Sequence, residues 1–88
     1  MLLKDTIQGM TSEDYKERFI AEYTQLIIRM RALKNILDDH YNGCLKFELK
    51  TPVLLLEEQY NLMSRYCGCL VQRARIENIT LPEVNYAR

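Results

Sequence analysis

The amino-acid sequence predicts an all-α protein, a hairpin of two long antiparallel helices preceded by a short N-terminal segment. Two stretches carry apolar residues at intervals of three and four positions, the spacing of one face of an α-helix. Turn-forming residues separate these stretches. A chain of 88 residues forms one domain and buries only about 60% of the surface that its unfolded form exposes. We therefore expect a thin core and assembly with further copies of the chain.

The first long helix is predicted over residues 12–38. Either hydroxyl of Thr11 and Ser12 can cap its first backbone N–H groups, and Glu13 and Asp14 follow at the positive end of the helix dipole. The apolar stripe is nearly heptad and is widened by neighbouring isoleucines, which favours contact with more than one helix. Its members are Tyr15, Phe19, Tyr23, Leu26, Met30, Leu33 and Leu37.

A connection is predicted over residues 39–51. Its first residues, as far as Gly43, favour a turn. From Leu45 to Lys50 apolar and charged residues alternate, which predicts a short extended segment that is too brief to form a sheet. Thr51, at the end of the connection, is predicted to cap the second helix.

The second long helix is predicted over residues 52–78, with Pro52 in its first turn, where a missing N–H costs nothing. Gly68 inside this helix indicates either a kink or the close approach of another backbone. The helix is expected to fray near Asn78, Pro82 would stop it shortly afterwards, and residues 79–88 are expected to form a tail. The second stripe, which faces the first, contains Leu56, Tyr60, Met63, Cys67, Leu70 and Ala74.

The predicted hairpin leaves more apolar surface on its outer sides than a monomer exposes comfortably. We therefore predict a homo-oligomer, formed by packing helices from several copies. The residues concerned are Ile20, Ile27, Tyr60, Tyr66, Val71, Ile76 and Ile79.

The composition disfavours several classes of partner. Twelve Lys and Arg balance twelve Asp and Glu, so the chain lacks the positive field that non-specific polynucleotide binding needs. The longest apolar run, Val53–Leu56, is far shorter than the ~20 residues of a membrane span. Acidic and polar residues occupy the N-terminus, where a signal peptide has an apolar centre, so we expect a cytoplasmic protein.

We expect no catalytic site, no metal and no cofactor. His40 is the only histidine, and no serine or cysteine lies at a spacing that commits a nucleophile to it. Cys67 and Cys69 with that histidine are too few ligands for a structural zinc site. The three glycines are too far apart for a phosphate-binding loop.

Three groups of side chains are candidates for binding a small anionic ligand. Thr11 and Ser12 at the predicted helix start could hold an anion, although an ordinary cap is the simpler interpretation. Tyrosines could stack on a base and arginines could bind phosphates, although core packing and solvation are their commoner roles. These residues are Tyr15, Tyr23, Tyr60, Tyr66, Arg65, Arg73 and Arg75.

Two short motifs carry a resemblance to a known family. They are MTSED, Met10–Asp14, and LEEQYNLM, Leu56–Met63, followed by Tyr66 and by QRAR at Gln72–Arg75. Over most of its length the chain resembles small phage proteins that sequester cyclic nucleotides. The chain is similar to sponges that counter CBASS, the cyclic-oligonucleotide-based antiphage signalling system, and an anti-Thoeris sponge has the same hairpin domain.

The resemblance implies a homohexamer of helical hairpins that binds cyclic dinucleotides, such as 3′,3′-cyclic GMP-AMP, between protomers without cleaving them. The family has an aromatic residue ahead of the first helix, a lysine about three turns into it and a threonine just after that lysine. Aligned on MTSE, these positions fall near Ile7, Glu22 and Thr24, of which only Thr24 agrees. The second, trinucleotide pocket of the family uses an arginine and a threonine early in the second helix, where this chain has neither.

Either another residue takes over stacking and phosphate binding, with Lys4, Lys16 and Tyr23 as candidates, or the alignment is shifted. The arginines would reach the ligand from a neighbouring copy. A helical hairpin that binds or inhibits a host or phage protein through its apolar face is the alternative function. The predicted ligand-binding residues are Ile7, Thr11, Ser12, Lys16, Tyr23, Thr24, Arg73 and Arg75.

Overall fold

The computed structural model describes residues 1–84 and confirms that the protein is all-α, since no strand occurs within that range. A 3-10 turn, Leu3–Thr6, leads into a short helix α1, Ile7–Met10. Two long helices follow, α2 over Tyr15–Tyr41 and α3 over Val53–Glu77. They pack against each other as an antiparallel hairpin whose longest dimension is 43 Å. This is close to the ~40 Å that the 27 residues of α2 span at ~1.5 Å per residue.

The two predicted apolar stripes meet between α2 and α3, as expected. The buried cluster lies where the beginning of α2 is beside the end of α3. Ile79, which follows α3, joins the two stripes there. Tyr23, Met30, Met63 and Cys67, all from the stripes, pack against the edge of this cluster. The cluster itself consists of Phe19, Leu26, Leu70, Ala74 and Ile79.

The first long helix begins later than predicted, and its cap is a different residue. Asp14 is the N-cap, and its side chain accepts a hydrogen bond of 2.9 Å from the backbone N–H of Lys16. Thr11 instead donates its hydroxyl to the carbonyl of Ile7 at 3.0 Å. The Ser12 hydroxyl accepts from the backbone N–H of Asp14 at 3.0 Å. The prediction that Thr11 or Ser12 caps the helix is therefore wrong, because both hydroxyls shape the turn before it.

The start of α3 also differs from the prediction. Pro52, not Thr51, is the N-cap, and no side chain caps the helix. The Pro52 carbonyl accepts the first helical hydrogen bonds, from the backbone N–H groups of Leu55 at 3.0 Å and Leu56 at 3.3 Å. The connection before it, residues 42–52, is irregular and contains no paired strand.

The end of α3 turns the chain back towards the core. Asn78 adopts a left-handed conformation with φ 57° and ψ 41°. The N–H groups of Asn78 and Ile79 bond the carbonyls of Arg75 and Ala74, at 3.4 and 2.8 Å, which is the pattern of a Schellman motif. Ile79 is consequently only 7% exposed. Its assignment to the outer apolar surface is wrong, and the last four residues of the predicted tail lie outside the described range.

A close approach of two backbones occurs at Gly9 and not at Gly68. A Cβ atom added to Gly9 would lie 2.9 Å from Cβ of Ala21 in α2, whereas one added to Gly68 would meet no atom within 4 Å in the described chain. The close approach of another backbone predicted at Gly68 therefore does not occur within one protomer, where α3 is exposed to solvent at this residue. Gly9 is the glycine that lets the backbone of α1 pass close to α2.

Three tyrosine hydroxyls join the long helices by donating to glutamate side chains. The pairs lie near both ends of the hairpin and between them, so they fix the register of α2 against α3. They are Tyr15 with Glu77, Tyr41 with Glu57, and Tyr66 with Glu22. In the part of the chain that the structure describes, neither long helix carries a stretch that is long and apolar enough to cross a bilayer.

Candidate functional site

The N-terminal segment, residues 1–11, lies across α2 and frames two neighbouring cavities. Both are lined in part by Thr6, which is buried and donates its hydroxyl to the Leu3 carbonyl at 2.7 Å. The Gly9 and Ala21 contact holds the segment against the helix. The shape of both cavities therefore depends on this crossing.

The first cavity, here called the Lys4 groove, has a volume of about 370 Å³. Its walls are mostly apolar, and Lys4 is the single charged side chain among the described residues that line it. Thr11 and Gln25 add a hydroxyl and an amide at its edge. A cation beside apolar walls suits a flat, negatively charged ligand. The lining residues are Leu3, Lys4, Thr6, Ile7, Met10, Thr11 and Gln25.

The second cavity, here called the Thr24 cavity, has a volume of about 420 Å³ and a more polar lining. Thr24 is only 4% exposed. Asp5 and Glu17 bring two carboxyl groups to the same cavity. Asp5 Oδ2 accepts from the backbone N–H of Leu2 at 2.8 Å, and Glu17 Oε2 accepts from the hydroxyl of Ser12. Carboxylates disfavour a phosphate here and favour groups that donate hydrogen bonds.

The predicted residues of α2 fall on two different faces. Thr24 shares a face with Glu17 and Ala21, at helical spacings of three and four, and this face meets the N-terminal segment. Tyr23 lies one residue away and packs towards α3 beside Cys67. Burial raises the pKa of the Tyr23 hydroxyl, and the nearby Cys67 raises it further. Tyr23 is thus part of the contact between the long helices.

Arg73 is engaged at the end of the hairpin. Its guanidinium lies 4.9 Å from the ring centre of Phe19, and Nη2 donates to the Tyr15 hydroxyl at 2.9 Å. Nε lies 3.6 Å from Glu77 Oε2. The hydrogen bond to Tyr15 is the largest cause of a raised Arg73 pKa, so this side chain is a permanent cation. Arg75 is exposed near the same end.

The structure brings some of the predicted site residues together and separates others. Ile7 and Thr11 meet in the Lys4 groove, and Thr24 lines the adjoining cavity. Lys16 is exposed in the first turn of α2 and lines neither cavity. Glu22, near which the resemblance would place a lysine, accepts the Tyr66 hydroxyl and so belongs to the contact between the long helices.

Sequence reasoning missed Thr6, Gln25 and the two carboxylates, Asp5 and Glu17, as cavity residues. A signal for Gln25 was present, because the polar pair Thr24 and Gln25 directly precedes the apolar run Leu26–Ile28 of α2. No periodicity marks Asp5 or Thr6, whose position depends on how the N-terminal segment crosses α2. The predicted and the missed residues together form a divided pocket with one cationic and one acidic part.

Comparison with known proteins gives a family for this chain. Its sequence matches the model of the Sequestin family over residues 13–76, nearly three quarters of its length. That match begins after the N-terminal segment, so it includes the α2 wall of both cavities and excludes the segment that closes them. No curated protein and no solved structure matches the chain. The chain belongs to the Sequestin family, which is consistent with its resemblance to the sponge-type anti-CBASS proteins.

Proposed function

We propose that this protein binds and sequesters cyclic dinucleotide second messengers, such as 3′,3′-cyclic GMP-AMP, without cleaving them. A bound messenger is withheld from the CBASS effector in the cytoplasm of a phage-infected cell, so the effector is not activated. Membership of the Sequestin family is the observation that carries the proposal, because the family name suggests a sequestering protein. The anti-CBASS resemblance supplies the class of ligand.

The cavities around the N-terminal segment support this ligand class. In the Lys4 groove, Leu3, Ile7 and Met10 offer an apolar surface for a base, and Lys4 offers a cation for a phosphate. The Thr24 cavity offers hydroxyl and carboxylate acceptors for the polar edge of a base. Two adjoining cavities of similar volume suit a ligand that has two bases.

Self-association is part of the proposal, and the expected assembly is a hexamer. Large apolar side chains remain exposed in the described chain, among them Leu55, Leu62 and Ile76, and contacts between copies would cover them. Lys16 and Arg75 from a neighbouring copy would then add cations to a pocket that has only Lys4 of its own. Static light scattering on the purified protein should give several copies per particle, whereas a monomer at high concentration would refute this part.

Titration calorimetry with a panel of cyclic dinucleotides tests the binding itself. We expect saturable heat with at least one member, and we expect heating of the complex to release the nucleotide intact. Lys4→Ala and Thr24→Val should each weaken binding tenfold or more, because they remove a cation and a hydroxyl from the cavities. Lys46→Ala is the matched control, since this exposed lysine lies in the connection at the far end of the hairpin.

Two results would contradict the proposal. Recovery of linear or hydrolysed nucleotide would indicate an enzyme. Absence of heat with every cyclic dinucleotide, at protein concentrations well above micromolar, would favour the alternative function, a hairpin that binds or inhibits another protein. The exposed apolar residues of the outer faces favour that alternative.

A further inference from the structure

The outer side of α3 carries a second row of residues, separate from the stripe that packs on α2. Its four members recur every seven residues, and a seven-residue repeat drifts by only about 20° per heptad, so they form one line along the helix. Leu55 and Leu62 are 54% and 53% exposed, Ile76 is 81% exposed, and Cys69 is exposed as well. This line, here called the outer row, meets no other part of residues 1–84 that would bury it.

The charges of α3 are unevenly distributed along its length. Glu57 and Glu58 lie in the N-terminal half, Arg65 lies at the middle, and Arg73 and Arg75 outnumber Glu77 in the C-terminal half. The helix contains no lysine, and arginine is enriched at protein interfaces where lysine is depleted. Parallel pairing of two such helices would bring like charges together. Antiparallel pairing brings the acidic part of each helix beside the basic part of the other.

One antiparallel register satisfies both the apolar and the charged residues. If Leu55 of one helix lies opposite Ile76 of the other, then Leu62 lies opposite Cys69, and all four members of the row are covered on both helices. In the same register Glu58 comes beside Arg73. A shift by one heptad in either direction leaves Ile76 or Leu55 uncovered, so the pattern selects a single alignment.

We propose that α3 pairs antiparallel with α3 of a second copy along the outer row, with Leu62 of each chain against Cys69 of the other. This inference rests on the self-association in the proposed function and names the surface that produces it. It does not require a bound nucleotide. The tyrosine–glutamate hydrogen bonds join α3 to α2 and not to the second copy, so they remain intact when two copies pair.

Disulfide trapping tests the register directly. In a Cys44→Ser, Cys67→Ala background the only thiol is that of Cys69, and the two Cys69 positions are seven residues out of step, about 10 Å apart along the helices. This exceeds the 4.4–6.8 Å between Cα atoms that a disulfide needs. Adding Leu62→Cys places a thiol opposite Cys69 of the second copy. Oxidation with copper phenanthroline should therefore yield a covalent dimer only after that addition.

The control for trapping is Leu54→Cys in the same background. Leu54 is a neighbouring exposed leucine on α3, but it lies about 100° around the helix from Leu55 and off the outer row. We expect no dimer from it. A covalent dimer from the background alone, or from Leu54→Cys and not from Leu62→Cys, would overturn the proposed alignment.

Light scattering distinguishes pairing along the outer row from self-association through another surface. Leu62→Asp should lower the mass of the assembly at least twofold, whereas Leu54→Asp should leave it unchanged, with circular dichroism showing equal helix content in both. If the unaltered protein assembles and Leu62→Asp has no effect, the outer row is not the interface and self-association stands. If the unaltered protein is monomeric, both fail, and calorimetry still reports on nucleotide binding.

Discussion

The hydroxyl of Tyr15 donates a hydrogen bond of 2.8 Å to Glu77 Oε1, and this joins the first turn of α2 to the last turn of α3. The same hydroxyl accepts from Arg73 Nη2 at 2.9 Å, so one oxygen connects a cation and an anion. From its residue type, Tyr15 is a candidate stacking surface for a base. In the structure it holds the open end of the hairpin together.

Removing this hydroxyl should loosen the open end of the hairpin. Tyr15→Phe loses both hydrogen bonds and keeps the ring beside Phe19, so we expect a loss of about 0.5–1 kcal/mol in the free energy of unfolding. Urea denaturation measures it. Tyr60→Phe is the control, because the Tyr60 hydroxyl makes no hydrogen bond to the described residues. Equal effects of the two variants would mean that the bonds to Arg73 and Glu77 contribute nothing.

A side chain at Gly9 should disturb both cavities. The added Cβ of Gly9→Ala would meet Cβ of Ala21 at 2.9 Å, so the N-terminal segment must move away from α2, at a cost of about 1–3 kcal/mol. We expect thermal denaturation to show the loss and calorimetry to show weaker nucleotide binding.

Gly68 supplies the matched control for that substitution. A Cβ there meets nothing within 4 Å in the described chain, and alanine is favoured over glycine inside a helix by about 1 kcal/mol. Gly68→Ala should therefore stabilise the protein and leave binding unchanged. A loss of stability would instead indicate that another copy approaches α3 closely at this glycine.

Truncation of two isoleucines three residues apart should change the free energy of unfolding by very different amounts. Ile79→Ala removes a buried side chain of the core and should cost about 2–4 kcal/mol. Ile76→Ala removes one that is 81% exposed and should change the free energy of unfolding by less than about 0.5 kcal/mol at protein concentrations where the chain is monomeric. Urea denaturation of both variants checks this. Equal costs would mean that residues beyond α3 do not pack on the core.

Stability should fall in alkaline solution through Cys67. Burial raises the pKa of this half-buried thiol above its ordinary value of 9.0. The folded state therefore holds the proton more tightly than the unfolded state does. The contribution of the protonated Cys67 thiol to the free energy of unfolding is fully present below pH 9. It is lost as the pH rises through 9 towards the folded pKa.

Urea denaturation at neutral pH and at pH values just above 9 measures this loss. In Cys67→Ala the free energy of unfolding should depend less on pH across that range, and Cys44→Ala, at an exposed thiol in the connection, is the control. Identical pH dependence in all three proteins would show that the thiol does not contribute.

The contact between the long helices could be predicted because Phe19, Leu26 and Leu70 recur at helical spacing, and burial follows spacing. The caps could not. Residues 11–14 offer four polar side chains for one helix start, and the choice of Asp14 depends on Ser12 closing a turn in front of it. Pattern alone does not distinguish a hydroxyl that begins a helix from one that shapes the turn before it.

The site was harder to predict than the fold. Thr24 was identified through the family resemblance, and the structure places it in a cavity. The cavity itself depends on where residues far apart in sequence come together, as Gly9 does with Ala21. Ile79 was misplaced for a related reason. The left-handed turn at Asn78 redirects the chain, and helical periodicity ends where that turn begins.

The crossing of α1 over α2 divides the protein into parts that evolution can alter at different rates. Gly9 is restricted, since a Cβ atom added there would lie 2.9 Å from Cβ of Ala21 and would push the two helices apart. Ile7 and Met10 lie on the exposed side of the same crossing, so mutations there leave the hairpin unaffected. Under the proposed function, a few substitutions in the first eleven residues can thus modify ligand preference while the hairpin that supports them stays unchanged.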